Sequence, residues 1–182
     1  MKYISTEDTE ALRNLKAGES VCLSGTVYTA RDAAHKRIAQ LIKEQKPLPF
    51  PLKGAIIYYA GPTPSRDDRP VGSCGPTTSS RMDKFAPELY SLGLAATIGK
   101  GERDHSVAEA CAKHGGVYFC AIGGAGALAC RCITECEVIA FSDLGCESVK
   151  KLTFDHFPLI VAIDCEGGNL FTEGRKTYCS AN

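Results

Sequence analysis

Apolar runs of strand length alternate with helix-period segments through the first two thirds of this chain. The runs are "SVCLSGTVYTA" (20–30), "GAIIYYA" (54–60), "LAATI" (94–98) and "GVYFCAI" (116–122). Between them, "RDAAHKRIAQLIKEQ" (31–45) places Ala34, Ile38, Leu41 and Ile42 on one face of a helix. "STEDTEALRNLKAG" reads as a short opening helix, capped by Ser5 or Thr6 and ended by Gly18. Gly25 marks a bulge within its strand. "GPTPSRDDRP" (61–70) reads as a turn-rich loop. Helices are expected from about Thr77, from Pro87 to Gly93, and through "HSVAEACAKHG" (105–115). "GALACRCI" (126–133) reads as a further helix and "EVIAFSD" (137–143) as a strand. "KLTFDHF", "PLIVAID" and "NLF" read as three short closing strands. Early alternation followed by clustered strands predicts an α/β fold with a mixed sheet, residues 1–182 forming a single domain.

Bulk properties narrow the function classes. Lys and Arg total 21, as do Asp and Glu, so no basic excess points to nucleic acid. No stretch approaches the roughly 20 apolar residues of a membrane helix. "MKYISTEDTE" lacks the pattern of a signal peptide, and a cytoplasmic protein is expected. The 10 cysteines include no CxxC pair; the tightest group is "CRCITEC", Cys130 to Cys136. Structural metal sites use wider, paired spacings, so reduced and mostly buried thiols are expected, with no metal bound by this chain. His35, His105, His114 and His156 show no ligand spacing.

The polar loops "TARD", "GPTTSSR", "GKGER" and "GGAGA" follow apolar runs, and in open α/β sheets ligands bind beside such loops. "GSCGPTTSSRMD" (72–83) sets four hydroxyl side chains directly before Arg81. If a helix begins near Thr77, its free N–H groups, its hydroxyls and a returning guanidinium suit a carboxylate or phosphate. Gly75 would let such a ligand approach the backbone. The plainer alternative is a helix capped by one threonine, with the remaining hydroxyls solvated. Arg31 and Lys100 lie on two further loops, Lys100 between two glycines. Three cations on three strand-end loops suit a small dianion. Asp32 and Asp83 are either helix-start carboxylates or local helpers of a catalytic hydroxyl. A rival is a dinucleotide-binding module: Gly124 to Ala129 spells G-x-G-x-x-A, with Asp143 after the next apolar run. A non-catalytic anion-binding domain would use the same residues as the clamp.

"RDAAHKR", "YYAGPTP", "VGSCGPTTSSRMDKF", "IGKGER", "GGAGAL" and "FPLIVAIDCEGGNLF" occur in this order. Together they resemble the β subunit of two-subunit class I fumarases and the C-terminal domain of the single-chain iron–sulfur form, from about residue 20 to residue 171. L(+)-tartrate dehydratase β subunits are close relatives sharing "GPTT" and the following arginine, while "IGKGER" favours fumarase. The resemblance implies a swivelling β/β/α domain. It also implies a site shared with a larger α subunit, whose cysteines hold a [4Fe–4S] cluster with an open iron that acts as Lewis acid on the departing hydroxyl. It implies that Arg31, Arg81, Lys100 and Thr78 bind the dicarboxylate, that Thr77 is the catalytic base, and that the assembly is a higher oligomer. An unassisted threonine hydroxyl is a poor base and needs cationic neighbours or a proton acceptor.

Overall fold

Successive residues of the run Ile56-Ile57-Tyr58-Tyr59 enter different apolar clusters, as the period-2 geometry of a strand buried on both faces requires. Ile56 and Tyr58 join Val21, Leu23, Val27, Ile98, Phe119 and Phe154 on one face. Ile57 and Tyr59 join Ala34, Ile38, Leu89, Tyr90, Val107 and Tyr118 on the other. Fully burying a side chain of Val, Leu, Ile or Phe stabilises by about 1.5–3 kcal/mol, so both clusters hold the sheet. The computed structural model describes residues 1–65 and 69–179. The loop expected over 61–70 therefore lies partly outside the described residues.

In chain order the elements are β1 (Lys2–Ser5), α1 (Thr9–Arg13), β2 (Ser20–Thr29), α2 (Asp32–Lys43), β3 (Ile56–Tyr58), α3 (Ala86–Ser91) and β4 (Ala96–Gly99). There follow α4 (His105–His114), β5 (Val117–Cys120), α5 (Gly126–Ala129), β6 (Ile133–Ala140), β7 (Val149–Ile163) and α6 (Leu170–Tyr178). Among the described residues, seven strands form a mixed sheet in the order β1-β2-β3-β4-β5-β7-β6. β1 to β5 pair in parallel, while β7 runs antiparallel to β2, β5 and β6. The β2–β7 pairing closes the ring β2-β3-β4-β5-β7. The first cluster lies on one face of that ring, and α2, α3 and α4 contribute to the second. Among the described residues, no helix is long and apolar enough to cross a membrane.

Several expectations need correction. α1 is capped by Asp8, whose carboxylate accepts from Ala11 N, and not by Ser5 or Thr6. Ser5 belongs to β1, and Thr6 lies under the bulge at Gly25, where a Cβ would collide with its hydroxyl. "GALACRCI" is not one helix: a single α turn and a short 3-10 turn (Cys130–Cys132) lead straight into β6. Two of the closing strands are one strand, β7. Pro158 survives inside it because β7 hands over from β6, paired through Phe154, to β5, paired from Ile160. The proline falls in the gap, where the flank needs no donor. "NLF" opens α6, with Asn169 as its N-cap.

Candidate active site

Arg31 sits at the extended N-cap position of α2 (φ −116°, ψ −163°), directly after β2. Its Nη2 lies 3.3 Å from Glu147 Oε1. Its Nε is buried and has no hydrogen-bond partner among the described residues; Asp32 Oδ2 is 4.0 Å away, too far to accept from it. Asp32 Oδ2 instead accepts from Arg81 Nη2 at 2.7 Å. The same Nη2 donates to Thr77 Oγ1 at 3.3 Å. Thr77, Arg81, Asp32, Arg31 and Glu147 thus form one polar chain across three loops. Glu147 also accepts from Ala33 N at 3.3 Å, which ties the chain to the first turn of α2.

The hydroxyl string does not begin an α-helix. Thr77 N donates to Tyr59 O (2.7 Å) and Ser79 N to Lys100 O (3.0 Å), so these donors serve the sheet rather than an anion. Thr78 pairs with Lys100 in a parallel bridge, and only a 3-10 turn, Ser79–Met82, follows. This arrangement sets Thr78, which is exposed, beside the Lys100 loop. Ser79 is buried and its hydroxyl accepts from Tyr118 Oη at 2.9 Å. Gly99 is glycine because a Cβ there would strike the Ser79 hydroxyl, a packing reason rather than freedom for Lys100. Lys100 runs past Gly123, where a Cβ would stand 3.4 Å from its Cδ and 3.9 Å from its Nζ. Among the described residues, Lys100 has no ion-pair partner.

Gly75 does not open the backbone to a ligand either. A Cβ there would stand 3.4 Å from Gly126 Cα, and Cys74 N donates to Gly126 O (3.1 Å). The "GGAGA" loop is therefore packed against the hydroxyl loop, which removes the dinucleotide reading. That reading needs a full crossover helix into a parallel strand. Here one α turn stands in place of that helix, β6 pairs with β7 and not with β5 among the described residues, and Asp143 is ion-paired with Arg37 at 2.5 Å.

A second buried layer supports the loops. Arg103 Nε bonds Asp83 Oδ1 (2.5 Å), Nη1 bonds Thr97 Oγ1 (3.1 Å) and Nη2 bonds Tyr59 Oη (3.3 Å). Asp83 is thus committed to structure and does not assist Thr77. Glu147 lies in no motif visible in the sequence, and Arg103, the last residue of "IGKGER", gives no sign there that it is buried against Asp83. Asp32 is visible in the sequence either as a helix-start carboxylate or as a helper of a catalytic hydroxyl, but its bond to Arg81 is not.

His35 lies under Arg31, between the rings of Tyr59 and Phe85. Its neutral Nδ1–H is placed to donate to Arg31 O at 3.0 Å. Burial pulls its pKa from 6.5 down to about 4. A depressed folded pKa gives stability that is present above 6.5 and is lost as pH falls toward 4. Between about pH 7 and about pH 5 the loss is about 2 kcal/mol. Urea midpoints at both pH values, for the wild type and His35→Gln, check this: the variant should lack that increment. Equal pH dependence in both proteins would remove His35 as its source.

The cysteines do not fit a cluster. Among the described residues, no group of three or more His, Cys, Asp or Glu could hold a metal ion. Cys130 is buried on the 3-10 turn, Cys132 ends that turn, and Cys136 lies on β6. Cys22, Cys74, Cys111 and Cys130 are buried, while Cys146 and Cys179 are exposed. Burial pushes the Cys74 thiol up to about 12 and that of Cys111 to about 11.

The family model described as Fumarase C-terminus matches residues 2–174. "Fumarate hydratase class I, anaerobic" of Escherichia coli is 39% identical over 160 residues, covering 87% of this chain and 29% of that protein. The "Putative L(+)-tartrate dehydratase subunit beta" of Methanocaldococcus jannaschii is 38% identical over 190 residues, covering 100% of this chain and 97% of the relative. The "L(+)-tartrate dehydratase subunit beta" of Escherichia coli is 34% identical over 185 residues, covering 98% and 90%. The chain spans less than a third of the length of the fumarate hydratases it matches. With a family model spanning nearly its whole length and near-full-length relatives above 30% identity, the chain belongs to the Fumarase C-terminus family.

Proposed function

We propose that this chain is the dicarboxylate-binding subunit of a hydro-lyase that interconverts fumarate and (S)-malate. L(+)-tartrate dehydration is the second reading, favoured by relatives that share almost their full length with this chain. The observation that carries the proposal is Arg31 Nε, a buried donor without an acceptor among the described residues, in one polar chain with Arg81 and Thr77. A buried unsatisfied N–H is unfavourable, and a ligand carboxylate would supply its acceptor.

In this reading Arg31, Arg81, Lys100 and Thr78 hold the two carboxylates. Removing the proton from carbon builds negative charge on the adjacent carboxylate, where Arg81 and Lys100 stabilise it as it develops. A clamp contributing roughly 4 kcal/mol selectively to the transition state gives about a thousandfold in rate. Thr77 takes the proton as its alkoxide, its own hydroxyl proton having first passed to an acidic residue of the partner subunit. The bond from Arg81 Nη2 stabilises negative charge on Thr77 Oγ1 and so shifts the hydroxyl toward its basic form. Residues 1–182 act as one domain of the swivelling β/β/α type, a reading that the closed mixed sheet supports. The [4Fe–4S] cluster belongs to an α subunit of the same cytoplasmic, higher-oligomeric enzyme.

The test is anaerobic co-purification with a cluster-bearing partner, followed by assays of fumarate hydration and tartrate dehydration. The complex should turn over one of them, and the purified chain alone neither. Robust turnover by the chain alone after chelator treatment, or an inactive complex, would overturn the reading.

A further inference from the structure

We propose that Asp32 is a positioning residue that holds Arg81 in the geometry needed to bind a carboxylate and to bond Thr77. The inference rests on the dicarboxylate-binding reading above and adds to it a residue with no direct ligand contact. Arg81 has a half-exposed side chain at the end of a short 3-10 turn. Left to itself, a long guanidinium side chain in water samples many rotamers. Here one nitrogen, Nη2, is held on two sides: Asp32 Oδ2 at 2.7 Å and Thr77 Oγ1 at 3.3 Å. That leaves Nη1 and Nε for a ligand, because among the described residues no hydrogen bond uses them.

Asp32 is well placed for this work because its own position is fixed. It is the first residue of α2, where a carboxylate is favoured by the helix dipole. It also stands between two cations: Arg81 is bonded to it and Arg31 Nε faces it from 4.0 Å. Arg31 has a separate carboxylate holder, Glu147 at 3.3 Å. Each guanidinium therefore has its own acid, and the Asp32 carboxylate lowers the repulsion between the two. Removing it frees Arg81 to swing and withdraws the N–H from Thr77.

The test is steady-state kinetics of the assembled enzyme together with calorimetric titration of malate onto the chain. Asp32→Ala should raise KM about tenfold and lower kcat about tenfold. Asp32→Asn keeps an acceptor at the same place and should stay within about threefold of wild type in both. Because Asp32 acts through Arg81, the double variant Asp32→Ala/Arg81→Ala should be no worse than Arg81→Ala alone. A purely structural role at the helix start would lower Tm in both Asp32 variants and leave KM and kcat of the folded enzyme unchanged. That result overturns the proposal. So does an Asp32→Asn variant as impaired as Asp32→Ala, or effects that add to those of Arg81→Ala. If the wild-type complex is inactive but the chain binds malate, and Asp32→Ala alone weakens that binding, the catalytic reading fails and the positioning role stands. Neither turnover nor malate binding by the wild type overturns both.

Discussion

Arg81→Ala should lower kcat/KM for malate at least a hundredfold in the assembled enzyme, about 2.7 kcal/mol of lost transition-state stabilisation. Three features combine at this residue. Its side chain is 46% exposed, so truncation leaves no core cavity and the fold should survive. Its Nη2 is the donor to Thr77 Oγ1, so the proposed proton acceptor would lose its electrostatic support. In the proposed site its remaining nitrogens would bond a ligand carboxylate that gains charge during the reaction, and charge-assisted bonds of this kind are the strong ones. Both kcat and KM should therefore change. Arg31→Ala should act mainly on KM, since Arg31 has no bond to Thr77 and is held by Glu147. Near-normal turnover by a well-folded Arg81→Ala enzyme would take Arg81 out of the site. The thermal midpoint should move little, which separates loss of chemistry from loss of fold.

Much of the sheet was legible because its signals are local. The segments 20–30, 54–60, 94–98 and 116–122 are rich in apolar residues; β2, β3 and β5 lie within theirs, and β4 passes its segment only by Gly99. The helix from Asp32 carries its own apolar face, with Ala34 and Ile38 buried. Gly25 marks its bulge because no other residue clears Thr6 there. Misreadings occurred where a distant partner overrides local preference. Pro158 looks like a strand end until β6 and β5 are seen to leave it a gap. The hydroxyl string looks like a helix start, but the carbonyls of Tyr59 and Lys100 capture its N–H groups first. The candidate site divides in the same way. Arg31, Arg81 and Lys100 stand out as cations on loops, whereas Glu147 emerges only when β7 brings the 142–148 turn against α2. Asp83 sits two residues from Arg81 in sequence, yet its side chain goes to the buried Arg103.

That buried pair leads to the largest expected effect on stability. Asp83→Ala should destabilise the chain by about 3–5 kcal/mol, the usual consequence of removing one partner from a buried ion pair. Arg103 has a side chain with no exposure, and Asp83 is the only carboxylate bonded to it among the described residues. Its other partners, Thr97 Oγ1 and Tyr59 Oη, are neutral. The guanidinium also lies 4.7 Å from the Tyr118 ring centroid and 5.2 Å from that of Tyr59, contacts that soften but do not replace an opposite charge. Asp83 Oδ2 accepts from Asp104 N at 2.7 Å, and Asp104 caps α4, so the start of that helix loosens as well. Asp83→Asn keeps an acceptor and should lose roughly half as much. Replacing both partners with apolar residues of similar volume, Asp83→Leu with Arg103→Met, should recover most of the loss, because neither buried charge remains. Urea denaturation of the three variants measures all of this. A loss below about 1 kcal/mol in Asp83→Ala would mean that water or the tyrosine hydroxyls compensate Arg103, and the pair would no longer explain how the Arg81 turn and the Lys100 loop are held together.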